Sequence, residues 1–118
     1  MKTCLFGGTF DPPHLGHLII AQTIFEAQNF DQIVFIPAYQ PPHKNGHDIS
    51  SIDHRFKMLK IAIKENPNFV LSDIEIKRRG LSYSIDTIRD YKNQNNIKTD
   101  DLFYLIGSDA LKEFHKWK

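Results

Sequence analysis

The sequence predicts an α/β domain built on a doubly wound parallel sheet. Two observations carry this expectation. Apolar runs and helical patterns alternate in the order β-α-β-α-β-α-β-α, and no internal repeat or low-complexity segment interrupts them. The clearest run, "QIVFIP" at Gln32–Pro37, is continuously apolar after its first residue, as a strand covered on both faces must be. Such a series means helices on both faces and right-handed crossovers. It also means that ligands bind beyond the carboxyl ends of the strands, where the strand order switches.

The elements follow in order. Residues 2–6 read as a strand ended by the pair Gly7-Gly8. Residues 15–28 read as a helix, with Leu18, Ala21 and Phe25 on one stripe and Ile20, Ile24 and Ala27 on the next. The β-branched run Gln32–Pro37 is a strand stopped by proline. Residues 38–50 contain "YQPPHKNGHD" and form a loop, long enough to expect a functional role. A second helix spans about 51–65, with Ser50 and Asp53 at capping-box spacing and Phe56, Leu59 and Ile63 on its apolar face. Residues 69–78 begin as a strand and then alternate as if along a sheet edge. "RGLSYS" is a turn, and Ser84 is the expected N-cap of a helix over 85–94. The last strand falls at 101–107, and a final helix starts at Ser108-Asp109.

Composition narrows the function classes. The chain has 118 residues, 41% hydrophobic and 25% charged, which suits one globular domain. No apolar run approaches the roughly 20 residues a membrane span needs, and the N-terminus reads as a strand rather than a signal peptide. Cys4 is the sole cysteine, so no internal disulfide can form, a reducing cytoplasm is the expected setting, and an inert buried thiol is expected. A net charge of +1 argues against a broad nucleic-acid surface while leaving room for a local anion pocket.

"LFGGTFDPPHLGH" is the richest stretch. Gly7 and Gly8 let a ligand approach the backbone closely, and the following helix turns free N–H groups and its positive dipole end toward the same volume. His14 and His17, three apart at that helix start, lie on one face, and Gly16 between them removes a crowding side chain. The set suits a triphosphate whose charge grows in a transition state. The same residues also fit a plain βα turn with half-exposed histidines. A zinc site is a third reading, in which His43 and His47 at H-x3-H spacing would join His14 and His17; no cysteine pair accompanies them. A Walker-A loop is excluded, because no G-x4-G-K-[ST] occurs.

"GGTFDPPHLGH" resembles the (H/T)-x-G-H signature of the nucleotidyltransferase superfamily. The resemblance to bacterial nicotinate-nucleotide adenylyltransferases extends through "FIPAYQPPHK", "DHRFKML", "LSDIEIKRRGLSYSIDTI" and "FYLIGSDALKEFHKW", and so covers the whole chain. It implies a Rossmann-like nucleotidyltransferase fold over residues 1–118. It also implies transfer of the adenylyl group of ATP to nicotinate mononucleotide, giving deamido-NAD and pyrophosphate. Mg2+ would be carried on ATP, with no resident metal on the protein. His14, His17 and Lys44 would be the catalytic residues. Gly7, Gly8, Thr9, Phe10 and Gly16 would border the phosphates, the turn offering backbone N–H groups at Gly8, Thr9 and Phe10. Tyr83 and Ser84 would border the nicotinate, Trp117 would stack on its ring, and Gly107 and Asp109 would open the last helix at the crevice, Asp109 facing a ribose hydroxyl. Arg55 and Asp53 are expected to stabilise the second helix by local pairing. The family's I-S-S-T-x-I-R segment, whose Ser, Thr and Arg hold ATP phosphates, does not occur in these residues. The expectation is therefore a family fold lacking its C-terminal part, with the last strand an exposed edge for homo-oligomer formation. A non-catalytic mononucleotide- or anion-binding module, or a truncated inactive fragment, is the alternative.

Overall fold

The computed structural model describes residues 2–10, 13–39, 51–78 and 84–105, with Ser84 and Thr99 described by their backbone alone. Four parallel strands form one sheet: β1 (Thr3–Gly8), β2 (Gln32–Pro37), β3 (Phe69–Leu71) and β4 (Leu102–Leu105). Their order is β3-β2-β1-β4, so the chain winds outward from β1 to β3 and then returns to β1's other side. The switch in direction falls between β1 and β4, which makes the carboxyl ends of these strands the expected ligand crevice. Register is set by pairs such as Leu5 with Val34 and with Tyr104.

The period-2 alternation of the central strands separates two apolar layers. Cys4, Phe6, Ile33 and Phe35 face one side and pack with Ala21 of α1 (Leu15–Ala27) and with Leu59 and Ile63 of α2 (Ile52–Ile63). Leu5, Val34 and Ile36 face the other, against Ile74 of α3 (Ile74–Arg78) and Tyr91 of α4 (Ser84–Asn95). Ile33, Val34, Phe35 and Ile36 are fully buried, which accounts for the unbroken apolar run in β2. Cys4 is buried, and burial pushes its thiol up to about 11.

Several boundaries move. β1 runs through Gly7 and Gly8 rather than ending before them. The glycine at 7 is a packing requirement, since a Cβ there would run into the Tyr104 hydroxyl on β4. α2 is capped by Ser51, whose Oγ accepts from His54 N at 3.2 Å, one residue after the expected Ser50. Residues 69–78 do not continue as an edge strand. β3 ends at Leu71, Ser72 Oγ accepts from Ile74 N at 3.3 Å, and a short helix follows with Glu75 in its first turn. A 3-10 turn at Thr99–Asp101 precedes β4. Among the described residues β4 pairs only with β1, and Phe103 on it is 43% exposed. Lys2 Nζ lies 5.1 Å from the Phe103 ring centre and 4.8 Å from that of Phe30, which puts a charge on that edge. The loop at 40–50, the "RGLSY" turn and the helix from Ser108 lie outside the described residues.

Candidate functional site

The carboxyl end of β1 delivers the chain directly to two histidines. His14 is the N-cap of α1, with extended backbone at φ −138° and ψ 175°, and His17 is the third helical residue. The two form a capping box in which imidazoles stand where a hydroxyl and a carboxylate usually serve. Gly16 N donates to His14 Nδ1 at 3.0 Å, and His14 N donates to His17 Nδ1 at 3.0 Å. Each Nδ1 is therefore an acceptor, so each neutral ring carries its proton on Nε2 and keeps that atom as a donor. The rings stack with centres 3.9 Å apart and planes 26° from parallel.

Neighbours hold this pair in place. A Cβ on Gly16 would lie 2.7 Å from His14 Cε1 and 2.9 Å from Nδ1, so only glycine admits the His14 ring here. Phe10 takes a left-handed backbone, φ 51°, that non-glycine residues rarely adopt. Its ring is buried and meets the His17 ring edge-on at 5.0 Å and Phe6 at 5.4 Å. Burial, and secondarily the charge of His14, lower the pKa of His17 from its ordinary value of 6.5. The neutral donor form is thus the resting state near neutrality.

The turns after β1 and β2 are joined. Ala38 N donates to Gly8 O at 2.8 Å. Arg55, buried in α2, donates to Thr9 O at 2.9 Å, Ala38 O at 2.6 Å and Tyr39 O at 3.4 Å. This corrects the expectation of local helix pairing: the guanidinium reaches across the sheet's end to backbone carbonyls. Because N–H and C=O point oppositely across a trans peptide, the Thr9–Phe10 N–H is directed away from Arg55. On the other face, the buried Glu75 accepts from Tyr39 N at 3.4 Å and from the Thr87 hydroxyl. Arg78 ties Thr87 Oγ1 at 2.8 Å to Asp90 at 2.9 Å.

Gly7, Gly8, Thr9, Phe10, His14, Gly16 and His17 are thus gathered at one end of the sheet, beside the start of the loop after β2. Ser84 opens α4, with its side chain outside the described residues. Lys44, Tyr83, Gly107, Asp109 and Trp117, and the histidines His43 and His47, also lie outside them. Among the described residues no group of three or more His, Cys, Asp or Glu could hold a metal ion. No described helix is long and apolar enough to cross a membrane. The roles of Arg55 and Glu75 escaped the sequence reading. The Ser72-x-x-Glu75 spacing signals a helix start there, but nothing local signals the partners of either charge.

Comparison with known proteins places this geometry. Residues 5–118 match the family model described as cytidylyltransferase-like. The chain belongs to the cytidylyltransferase-like family. Within it, the chain is 43% identical over 116 residues to the nicotinate-nucleotide adenylyltransferase of Bacillus subtilis, covering 98% of this chain and 60% of that protein. It is 41% identical over 114 residues to the probable nicotinate-nucleotide adenylyltransferase of Aquifex aeolicus, covering 97% and 66%. It therefore spans about 60% of the length of such relatives. The fold is similar to that of the Plasmodium falciparum nicotinic acid mononucleotide adenylyltransferase complexed with NaAD, with a TM-score of 0.78 at 20% identity. That match covers all of this chain and 58% of the other. The cytidylyltransferase-like family thus accounts for the fold and for the switch-point crevice at β1.

Proposed function

We propose that the chain carries the catalytic half-site of an adenylyltransferase that joins ATP to nicotinate mononucleotide, giving deamido-NAD and pyrophosphate. The observation that carries this reading is the histidine capping box: two Nδ1 atoms engaged by backbone N–H groups, leaving two Nε2–H donors at a helix N-terminus beyond β1. Nε2–H donors held in place, beside a helix dipole, favour oxyanion charge that grows during reaction. The likeness to the Bacillus subtilis enzyme supports the choice of substrates.

In this reaction a 5′-phosphate oxygen of nicotinate mononucleotide forms a bond to the α-phosphorus of ATP. The bond from that phosphorus to the α,β-bridging oxygen breaks, and its electron pair leaves with pyrophosphate. The protein contributes placement and charge stabilisation rather than a nucleophile. His14 and His17 donate to the departing pyrophosphate, and the turn at Gly8, Thr9 and Phe10 supplies backbone N–H groups. Lys44 adds charge, Tyr83 and Ser84 border the nicotinate, Trp117 stacks on it, and Gly107 and Asp109 line the ribose side. Magnesium enters as part of the ATP substrate. The reaction takes place in the cytoplasm, and two copies pair along β4.

The test is pyrophosphate release with ATP and nicotinate mononucleotide, on this chain and on a version extended by the C-terminal segment of a full-length relative. Release that needs both substrates and is lost on chelating magnesium is expected. A silent extended version overturns the reading, and calorimetric nucleotide binding without turnover assigns the chain to the binding-module class. Sedimentation showing only monomer removes the pairing along β4.

A further inference from the structure

One peptide unit beside the candidate site is held at both of its poles by buried charges. The Ala38 carbonyl accepts from Arg55 at 2.6 Å, and the N–H on the same peptide, that of Tyr39, donates to Glu75 at 3.4 Å. Arg55 is 1% exposed and Glu75 5%. Burying such charges is costly unless hydrogen bonds compensate them, and here the compensating bonds set the direction of the chain leaving β2. Arg55 also takes the Thr9 carbonyl, so the same guanidinium sets the β2 turn against the β1 turn that leads to Phe10 and the histidines. Glu75 passes the constraint onward through the Thr87 hydroxyl to α4, whose first residue is Ser84.

We propose that Arg55 and Glu75 are positioning residues that orient the Ala38–Tyr39 peptide and thereby hold the turns after β1 and β2 in one geometry for the ligand. Neither touches the reacting atoms. The inference deepens the adenylyl transfer proposed above and rests on it for its kinetic arm. Nη1 donates to the Thr9 and Ala38 carbonyls and Nη2 to that of Tyr39, a planar set spread over two nitrogens that the single ammonium of a lysine cannot reproduce.

The experiment compares Arg55→Lys, Glu75→Ala and Glu75→Gln with the parent, using site-resolved amide exchange on the 118-residue chain and steady-state kinetics on the extended version. Arg55→Lys is expected to speed exchange at Tyr39 about 10-fold while the amides of Ile33–Ile36 stay protected. It is expected to lower kcat about 100-fold, with KM for ATP changing less than about 3-fold. Glu75→Ala is expected to free the Tyr39 amide, and Glu75→Gln, which keeps an acceptor oxygen, to restore its protection. Faster exchange spread evenly over the sheet overturns the proposal, as does an unchanged Tyr39 amide in both Arg55→Lys and Glu75→Ala. If Arg55→Lys fails to fold, the two Glu75 variants decide. A parent chain without turnover, even when extended, sinks the adenylyl transfer alone, and the exchange arm still decides the positioning.

Discussion

Gly16→Ala separates the stability of the site from its chemistry. A Cβ at 16 would lie 2.7 Å from His14 Cε1, against the 3.4 Å at which ordinary contact begins, so the ring must retreat by about 0.7 Å. That retreat breaks the Gly16 N–H bond to His14 Nδ1 and unstacks His14 from His17. Losing the cap costs about 1 kcal/mol. Alanine recovers about 0.5–1 kcal/mol over glycine in a helix. The two nearly cancel, so the melting temperature should move by less than about 5 °C. Catalysis has no such compensation. A donor displaced on the scale of an ångström costs about 100-fold in rate, or about 2.7 kcal/mol of barrier. The assay pairs thermal melting with pyrophosphate release in the extended chain. Turnover within about 3-fold of the parent, with melting unchanged, would refute the assignment of His14 to the phosphates.

Three further outcomes are expected. Because burial lowers the pKa of His17, the unfolded chain binds more protons just below pH 6.5. The contribution of His17 is therefore complete above pH 6.5 and lost as pH falls through the folded value; the melting temperature should drop between pH 7 and pH 5, and His17→Asn should flatten the drop. A thiol reagent should leave Cys4 unmodified in the native chain and label it in urea, since burial raises its pKa to about 11; fast native labelling would contradict its place in the core. Thr87→Val removes the hydroxyl between Glu75 and Arg78, and should cost about 1–3 kcal/mol, read from the urea midpoint.

Local signals explain how far the sequence could be read. The helix read as 15–28 forms as Leu15–Ala27, and the strand at Gln32–Pro37 has the expected bounds. In both, the apolar period and the flanking breaker act within a few residues. The second helix shifts its cap from Ser50 to Ser51, because adjacent serines offer the same chemistry and only the register of the first turn chooses between them. The run at 69–78 misleads for a related reason. "DIEIKR" alternates like a strand, yet its apolar residues are too few to separate period 2 from period 3.6, and Ser72 starts a helix instead.

The alternation of strands and helices, the parallel sheet it implies and the histidine pair opening α1 are all legible in the order of the residues. Each follows from sterics and hydrogen bonds among residues close in the chain. That the histidines cap their own helix through Nδ1, and that a Cβ at Gly7 would strike Tyr104 on a strand almost a hundred residues away, emerges only once the chain is folded. The same holds for Arg55. Its partners among the described residues are backbone carbonyls, and a carbonyl looks the same in every residue, so no pattern of side chains announces which ones a buried guanidinium will meet.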